Sequence, residues 1–257
     1  MDWNLENQMD IFDFLNDPNE KPQPFKIKNK LRILEFFAGY GSQSLALDRL
    51  GIEYEKHFVC EFDKHAINFY NVVHNTNFPT IDIRNVKGSD LNITDCDKFT
   101  YLLTYSFPCQ DISTAGLQKS LEKGSGTRSG LLWEVERILN ECEHKPQILC
   151  MENVKNLLSA KHKPHFDEWC NCLSEMGYSN FYQVLNAKDY GVAQNRERVF
   201  MVSILGNYTY KFPQPIELTK VMADYLDDEV PEKYYINNER ATQLIEKLVA
   251  DGKLDEE

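Results

Sequence analysis

The sequence lacks a long apolar run. No stretch of about 18 apolar residues occurs, which argues against a membrane-spanning helix. The N-terminal segment MDWNLENQMDIFDFL lacks the basic-then-apolar order of a secretory signal. The seven cysteines show no repeated C-x-x-C pairing and no zinc-like spacing with the six histidines, and we interpret His162 and His165 as solvated. These absences predict a cytoplasmic protein with free thiols and no metal.

Positive charge is also in deficit. The chain has 28 Lys and Arg against 40 Asp and Glu, a net charge of −12. Taken alone, this balance argues against a free-standing nucleic-acid binder, which usually carries a basic stripe. The hydrophobic fraction of 42% in 257 residues suffices for a substantial core, in one large domain or two small ones.

Apolar segments of strand length alternate with helical patterns. The strand candidates are LRILEFF, HFVCEF, TYLLTYSF, QILCMEN, YQVLNA and RVFMVSIL, and SLALDRL and GLLWEVERILNEC are typical of helices. The alternation predicts an α/β fold, a Rossmann-like open twisted, mostly parallel sheet with helices on both faces. We expect an N-terminal extension and linker over residues 1–30 and the main domain over residues 31–206. Residues 207–257 are expected to form a connecting segment toward a further domain, with an acidic C-terminal tail.

Glycines and acids follow the first two predicted strands, where open α/β sheets bind ligands. Gly39 and Gly41 follow Glu35 in the segment E-F-F-A-G-Y-G, and Glu61 lies where an acid can bind ribose hydroxyls. Ser44 stands in place of the third glycine of a nicotinamide motif, and Glu35 would repel a pyrophosphate. The pattern favours S-adenosyl-L-methionine over NAD, although a tight turn plus a surface glutamate stays open as the alternative.

Three polar clusters fall at the same predicted sheet edge. Cys109 follows the strand TYLLTYSF in S-F-P-C-Q, whereas Cys60 and Cys150 are interpreted as core residues, the usual place of free cysteines. Glu152 follows QILCM in E-N-V, and Q-N-R-E-R precedes VFMVSIL. Each cluster alone could be a helix-start acid or a solvated face. Their joint appearance favours an active cleft.

The motifs F-x-G-x-G, P-C-Q, E-N-V and Q-x-R-x-R, in this order, resemble those of the DNA cytosine-5 methyltransferases, from about residue 31 to about residue 205. The resemblance implies a class I S-adenosylmethionine-dependent methyltransferase fold and a bacterial or phage origin, in the setting of restriction-modification. The implied reaction is methyl transfer to carbon 5 of a flipped-out cytosine through a covalent cysteine adduct. Ser106 departs from the family, which commonly has glycine there.

The resemblance also assigns roles by position. The implied catalytic residues are Cys109, Glu152, Arg196 and Arg198. The implied cofactor-binding residues are Phe37, Gly39, Gly41, Glu61, Phe62, Asp90, Leu91 and Pro108, with Asp82 and Ile83 competing with Asp90 and Leu91 for the adenine edge. The implied DNA contacts are Gln110, Ser113, Arg128 and Gln194, and residues 117–128 match the loop that closes on DNA.

The resemblance ends before the family's target-recognition domain and last motif. We expect double-stranded DNA as substrate and the phosphate-binding cations in that absent part, which accounts for the acidic charge. Two explanations stay open: a split enzyme whose second chain carries the recognition domain, or a truncated copy. The rival functions are a tRNA cytosine-5 methyltransferase and a non-catalytic methyltransferase partner.

Overall fold

The computed structural model describes residues 22–110, 112, 121–236 and 238–254. Residues 1–21 of the expected extension and the expected DNA contact Ser113 therefore lie outside the described residues. Within the described ranges, none of the helices is long and apolar enough to cross a membrane.

Six strands form the central sheet, in the order β3-β2-β4-β5-β7-β6. They are β2 (Lys30–Phe36), β3 (Tyr54–Cys60), β4 (Phe99–Tyr105), β5 (Ile148–Val154), β6 (Tyr178–Asn186) and β7 (Glu197–Leu205). Strands β3, β2, β4 and β5 pair in parallel, and β7 runs antiparallel to both of its neighbours. A short parallel pair, β1 (Gln23–Pro24) with β8 (Tyr208–Thr209), ties the expected linker to the segment after β7.

Helices pack on both faces of the sheet, namely α1 (Ser42–Arg49), α2 (Lys64–His74), α3 (Leu132–Glu141) and α4 (Lys163–Glu175). The helix α5 (Glu239–Ala250) has no buried residue and lies apart from the core. Short 3₁₀ turns lie at Ile83–Asn85, Gly88–Leu91, Ser129–Leu131, Lys155–Leu158, Ala187–Tyr190, Met222–Tyr225 and Glu232–Tyr234. Tyr70 of α2 packs with Val59 on one face of the sheet, and Trp169 of α4 donates to the Tyr105 hydroxyl on the other. The predicted α/β fold class is confirmed.

The interpretation of His162 as solvated is wrong. His162 directly precedes α4, whose Phe166 and Trp169 are fully buried, and the imidazole is drawn into the core with 1% exposure. Burial disfavours the charged ring and lowers its pKa. His165, one turn later, is partly exposed, as predicted.

The strand order changes direction at β2. The chain passes from β2 to β3 on one side and then crosses to β4 on the other, so the loops that follow β2 and β4 diverge. Such a switch point opens a crevice at the carboxyl edge of the sheet. Because β7 is antiparallel, its first residues lie at this same edge.

Candidate active site

A cavity of about 960 Å³ opens at the carboxyl edge of the sheet. It receives residues from the ends of β2, β3, β4 and β5 and from the beginning of β7. Ten residues expected at the site line it: Phe37, Glu61, Phe62, Pro108, Cys109, Gln110, Arg128, Glu152, Arg196 and Arg198. The fold thus brings together side chains that are far apart in the sequence.

Glu152 and Arg198 form an ion pair inside the cavity. In the β5–β7 ladder, Glu152 is opposite Phe200 and Arg198 is opposite Val154, so the two are diagonal neighbours on one face of the sheet. Arg198 Nε lies 3.0 Å from Glu152 Oε1, and the side chains are 22% and 26% exposed. Sheet register therefore fixes a carboxylate and a guanidinium side by side.

Cys109 lies in the loop after β4, partly buried and facing the cavity. The loop is fastened on two sides. Buried Asn153 at the end of β5 donates to the Phe107 carbonyl at 3.0 Å, and the Ser129 hydroxyl donates to the Pro108 carbonyl at 2.7 Å. These bonds place Cys109 at the cavity wall beside the Glu152 strand.

Of the two cysteines interpreted as core residues, Cys60 is buried at the edge of the same cavity, and Cys150 is partly buried. Burial raises the pKa of the Cys60 thiol to about 12 and that of Cys150 to about 11, with the carboxylates Glu61 and Glu152 adding to the rise. Both thiols are therefore poor nucleophiles near neutral pH.

The loop after β2 holds the Glu61 carboxylate in place. Gly39 N donates to Glu61 Oε2 at 2.8 Å, and Asp63 N donates to Oε1 at 2.7 Å. Phe37 lines the cavity with φ at 54°, a left-handed conformation that bulky residues rarely adopt. Gly39 has φ at 57° and is not among the described cavity-lining residues; its role is the N–H group that it donates to the Glu61 carboxylate.

Gly41 and Glu35 both make packing contacts behind the described cavity wall, and the burial of Glu35 corrects the expectation that its carboxylate faces the ligand. A Cβ on Gly41 would lie 2.2 Å from His74 Nε2 and 2.6 Å from Tyr70 Cε2, so this glycine allows α2 to approach the loop. Glu35 is fully buried beneath it and accepts hydrogen bonds from Ser44 at 2.7 Å and Tyr70 at 2.5 Å. Neither residue is among the described cavity-lining residues.

Of the two residue pairs expected at the adenine edge, only one lines the described cavity wall. Leu91 is fully buried, and Asp90 caps its own 3₁₀ turn by accepting from Lys87 N at 2.8 Å, so the expected pair does not reach the described cavity wall. The competing pair, Asp82 and Ile83, lines the cavity. Hydrogen bonds from Arg84 lower the pKa of Asp82, which keeps its carboxylate ionised.

The expected DNA contacts are only partly brought together. Arg128 Nη1 donates to Gln110 Oε1 at 2.8 Å, and both residues line the cavity beside residues 124–127. Gln194 is exposed in the turn before β7 and, among the described residues, does not line the cavity.

Sequence reasoning missed part of the wall, namely Arg84, Leu131, Trp133 and Glu134. The last three lie at the beginning of the helix pattern that follows Arg128 directly, so the expected position of Arg128 could have indicated them. The described residues contain no group of three or more His, Cys, Asp or Glu side chains suited to a metal ion.

Comparison with known proteins places this geometry in a family. The family model for C-5 cytosine-specific DNA methylase matches residues 31–253. The type II methyltransferase M2.ScrFI of Lactococcus lactis is 38% identical, with 82% of this chain and 72% of the relative covered. The orphan methyltransferase M.SssI of Spiroplasma monobiae is 34% identical, with 83% and 70% covered. The type II methyltransferase M.HhaI of Haemophilus parahaemolyticus is 37% identical, and the chain spans 61% of its length.

Solved structures share the fold. A methyltransferase of Entamoeba histolytica, EhMeth, superposes with a TM-score of 0.68 at 20% identity, covering 86% of this chain and 66% of that one. The S. pombe Dnmt2 methyltransferase gives 0.66 at 21% identity, covering 83% and 64%. The ordered motifs, the cavity and the family match agree, and the chain belongs to the C-5 cytosine-specific DNA methylase family.

Proposed function

We propose that this chain transfers a methyl group from S-adenosyl-L-methionine to carbon 5 of a cytosine in double-stranded DNA, with Cys109 as nucleophile. One observation carries the proposal: Cys109, Glu152 and Arg198 line a single cavity, and the last two are paired at 3.0 Å. A thiol, a carboxyl group and a guanidinium around one space match the needs of covalent attack on a pyrimidine ring.

The β2–β3 side of the cavity fits the cofactor. Glu61 has both oxygens oriented by backbone N–H groups, which leaves lone pairs for ribose hydroxyls. Phe62 is 68% exposed at the cavity and offers a ring face for a purine. Asp82 offers a carboxylate to the adenine amino group. When bound, S-adenosyl-L-methionine supplies an electrophilic methyl group.

The β4–β5–β7 side of the cavity supplies the chemistry on the base. The Cys109 thiolate forms a bond to carbon 6 of cytosine, which makes carbon 5 nucleophilic. The protonated carboxyl group of Glu152 donates a hydrogen bond to nitrogen 3 and shares its proton with the ring as the addition places negative charge there; this proton returns to Glu152 when the cysteine is eliminated. Arg198 binds the ring carbonyl oxygen, and Arg196 assists. After methyl transfer, a water removes the carbon 5 proton, the bond from sulfur to carbon 6 breaks, and the thiolate is released.

The loop between β4 and α3 forms the DNA side of the site. Carbon 6 is unreachable within a duplex, so the target cytosine must leave the stack. We assign Arg128 and Gln110 to the contact with the opened DNA; their side chains are hydrogen-bonded to each other and both line the cavity. We assign Gln194 and Ser113 to the same DNA surface from the sequence motifs alone.

We further propose that residues 31–206 form the catalytic domain and that a second chain supplies cations for target recognition. The net charge of the whole chain is −12. A chain with this charge needs cations from elsewhere to bind phosphates tightly.

The test is covalent trapping. In the presence of S-adenosyl-L-methionine, carbon 5 of 5-fluorocytosine in duplex DNA is methylated but has no proton to lose, so the cysteine adduct should persist and survive denaturing electrophoresis. The unsubstituted chain mixed with the product of the adjacent reading frame should give the adduct at Cys109, the unsubstituted chain alone should give less, and Cys109→Ser should give none in either case. Cys150→Ser is the matched control. An adduct that maps to another cysteine, or turnover by Cys109→Ser, would refute the assignment, and trapping on tRNA alone would favour the RNA function.

A further inference from the structure

The segment that carries Asp82 and Ile83 to the cavity lies along α3. Arg137 of α3 points its guanidinium at the backbone of this segment. Its Nη2 donates to the Val86 carbonyl at 2.8 Å and to the Ile83 carbonyl at 3.3 Å. The arginine side chain is therefore hydrogen-bonded to two backbone carbonyls of the 3₁₀ turn Ile83–Asn85 and the residue after it.

Two acids on the same helix orient this guanidinium. Glu134 Oε2 lies 2.7 Å from Arg137 Nε, one turn before it, and Glu141 Oε1 lies 2.8 Å from Nη1, one turn after it. With Nε and Nη1 occupied, the planar group presents Nη2 to the segment. The pairs are partly exposed, so their value here is orientation more than stability.

The far end of the segment is fastened to the same helix. Gly88 N donates to Glu141 Oε2 at 3.0 Å. A Cβ on Gly88 would lie 2.5 Å from the Glu141 carbonyl carbon, so the backbones of the segment and the helix are in direct contact. Arg137 and Glu141 thus hold residues 83–88 at both ends, while Asp82, just before them, faces the cavity.

We propose that Arg137 is a positioning residue for adenine recognition: it fixes the turn that aims Asp82 and Ile83 at the base. The inference rests on the proposed function, because it presumes an adenosyl cofactor in this cavity. Arg137 does not line the described cavity wall, so it acts through the segment and not by touching the ligand.

The experiment compares two ligands that differ at one group. S-adenosylhomocysteine carries the 6-amino group that Asp82 can accept from, and S-inosylhomocysteine carries an oxygen there. Because a hydrogen bond to a charged group contributes strongly, the unsubstituted protein should bind the adenosyl compound at least about tenfold more tightly by calorimetry. Arg137→Leu should reduce this preference to about twofold or less, and the KM for S-adenosyl-L-methionine should rise with kcat nearly unchanged.

Arg240→Leu, on the exposed helix α5, is the matched arginine control and should retain the preference. Arg137→Lys keeps the charge beside Glu134 and Glu141 but cannot reach both carbonyls, so it should lose most of the preference. If Arg137→Leu does not fold, the ligand preference of Arg137→Lys tests the positioning role of Arg137 instead.

A preference as large in the folded Arg137 variants as in the unsubstituted protein would overturn the inference. An unsubstituted protein that binds both ligands equally would overturn it too, because Asp82 would then not contact the base. An unsubstituted protein that binds neither would overturn the proposed function itself.

Discussion

Replacing Gly41 by alanine tests whether this glycine serves helix packing. Two costs add in Gly41→Ala. The residue has φ at 80°, and a left-handed conformation costs a residue with a side chain roughly 1–2 kcal/mol. The new methyl group would also lie 2.2 Å from His74 and 2.6 Å from Tyr70, and such overpacking costs about 1–3 kcal/mol. Tyr70 cannot move away cheaply because it is fully buried and bonded to Glu35.

Gly39→Ala is the matched control, since Gly39 also has a positive φ of 57° but a Cβ there meets nothing within 4 Å. It should show only the conformational cost. Urea unfolding followed by circular dichroism should therefore give Gly41→Ala the lower free energy of unfolding, by about 1–3 kcal/mol relative to Gly39→Ala. Equal unfolding midpoints in the two variants would refute the packing role of Gly41.

Two further predictions concern the thiols and the loop that carries one of them. Iodoacetamide at pH 8 should alkylate Cys109 before Cys60 and Cys150, because burial raises the pKa of Cys60 to about 12 and that of Cys150 to about 11, so few of these two thiols are ionised. Raising the pH should bring the three alkylation rates closer together. Peptide mapping that finds Cys60 modified first would contradict this prediction. Asn153→Ala should lower the free energy of unfolding by about 1–3 kcal/mol, since it leaves the Phe107 carbonyl without its donor; unchanged urea stability would show that this bond does not hold the loop.

The sheet and most of its helices could be predicted because each has a strong local pattern. The helix over Leu132–Glu141, with Leu132, Val135, Ile138 and Leu139 buried, follows from its apolar spacing alone. His162 could not be placed in this way. A short polar loop carries no periodic signal, and its burial depends on how α4 docks on the core.

The position of Cys109 and Glu152 at the carboxyl edge of the sheet was predictable, because Cys109 follows a strong strand pattern and Glu152 lies near the end of another. It was not predictable where two similar motifs compete. Asp82-Ile83 and Asp90-Leu91 have the same local chemistry, and only the docking of their segment on α3 decides which pair faces the cavity. The two glycines after β2 were likewise indistinguishable in sequence, because the difference between them is the proximity of α2.

The reversed direction of β7 has a consequence for how this protein can vary. Arg198 reaches Glu152 only because the β5–β7 ladder sets which residues share a face of the sheet. Deleting or inserting one residue within either strand turns the guanidinium to the opposite face and separates it from the carboxylate. Changes in length within β5 or β7 are therefore destructive, and the spacing of this pair depends on the backbone hydrogen bonding between the two strands.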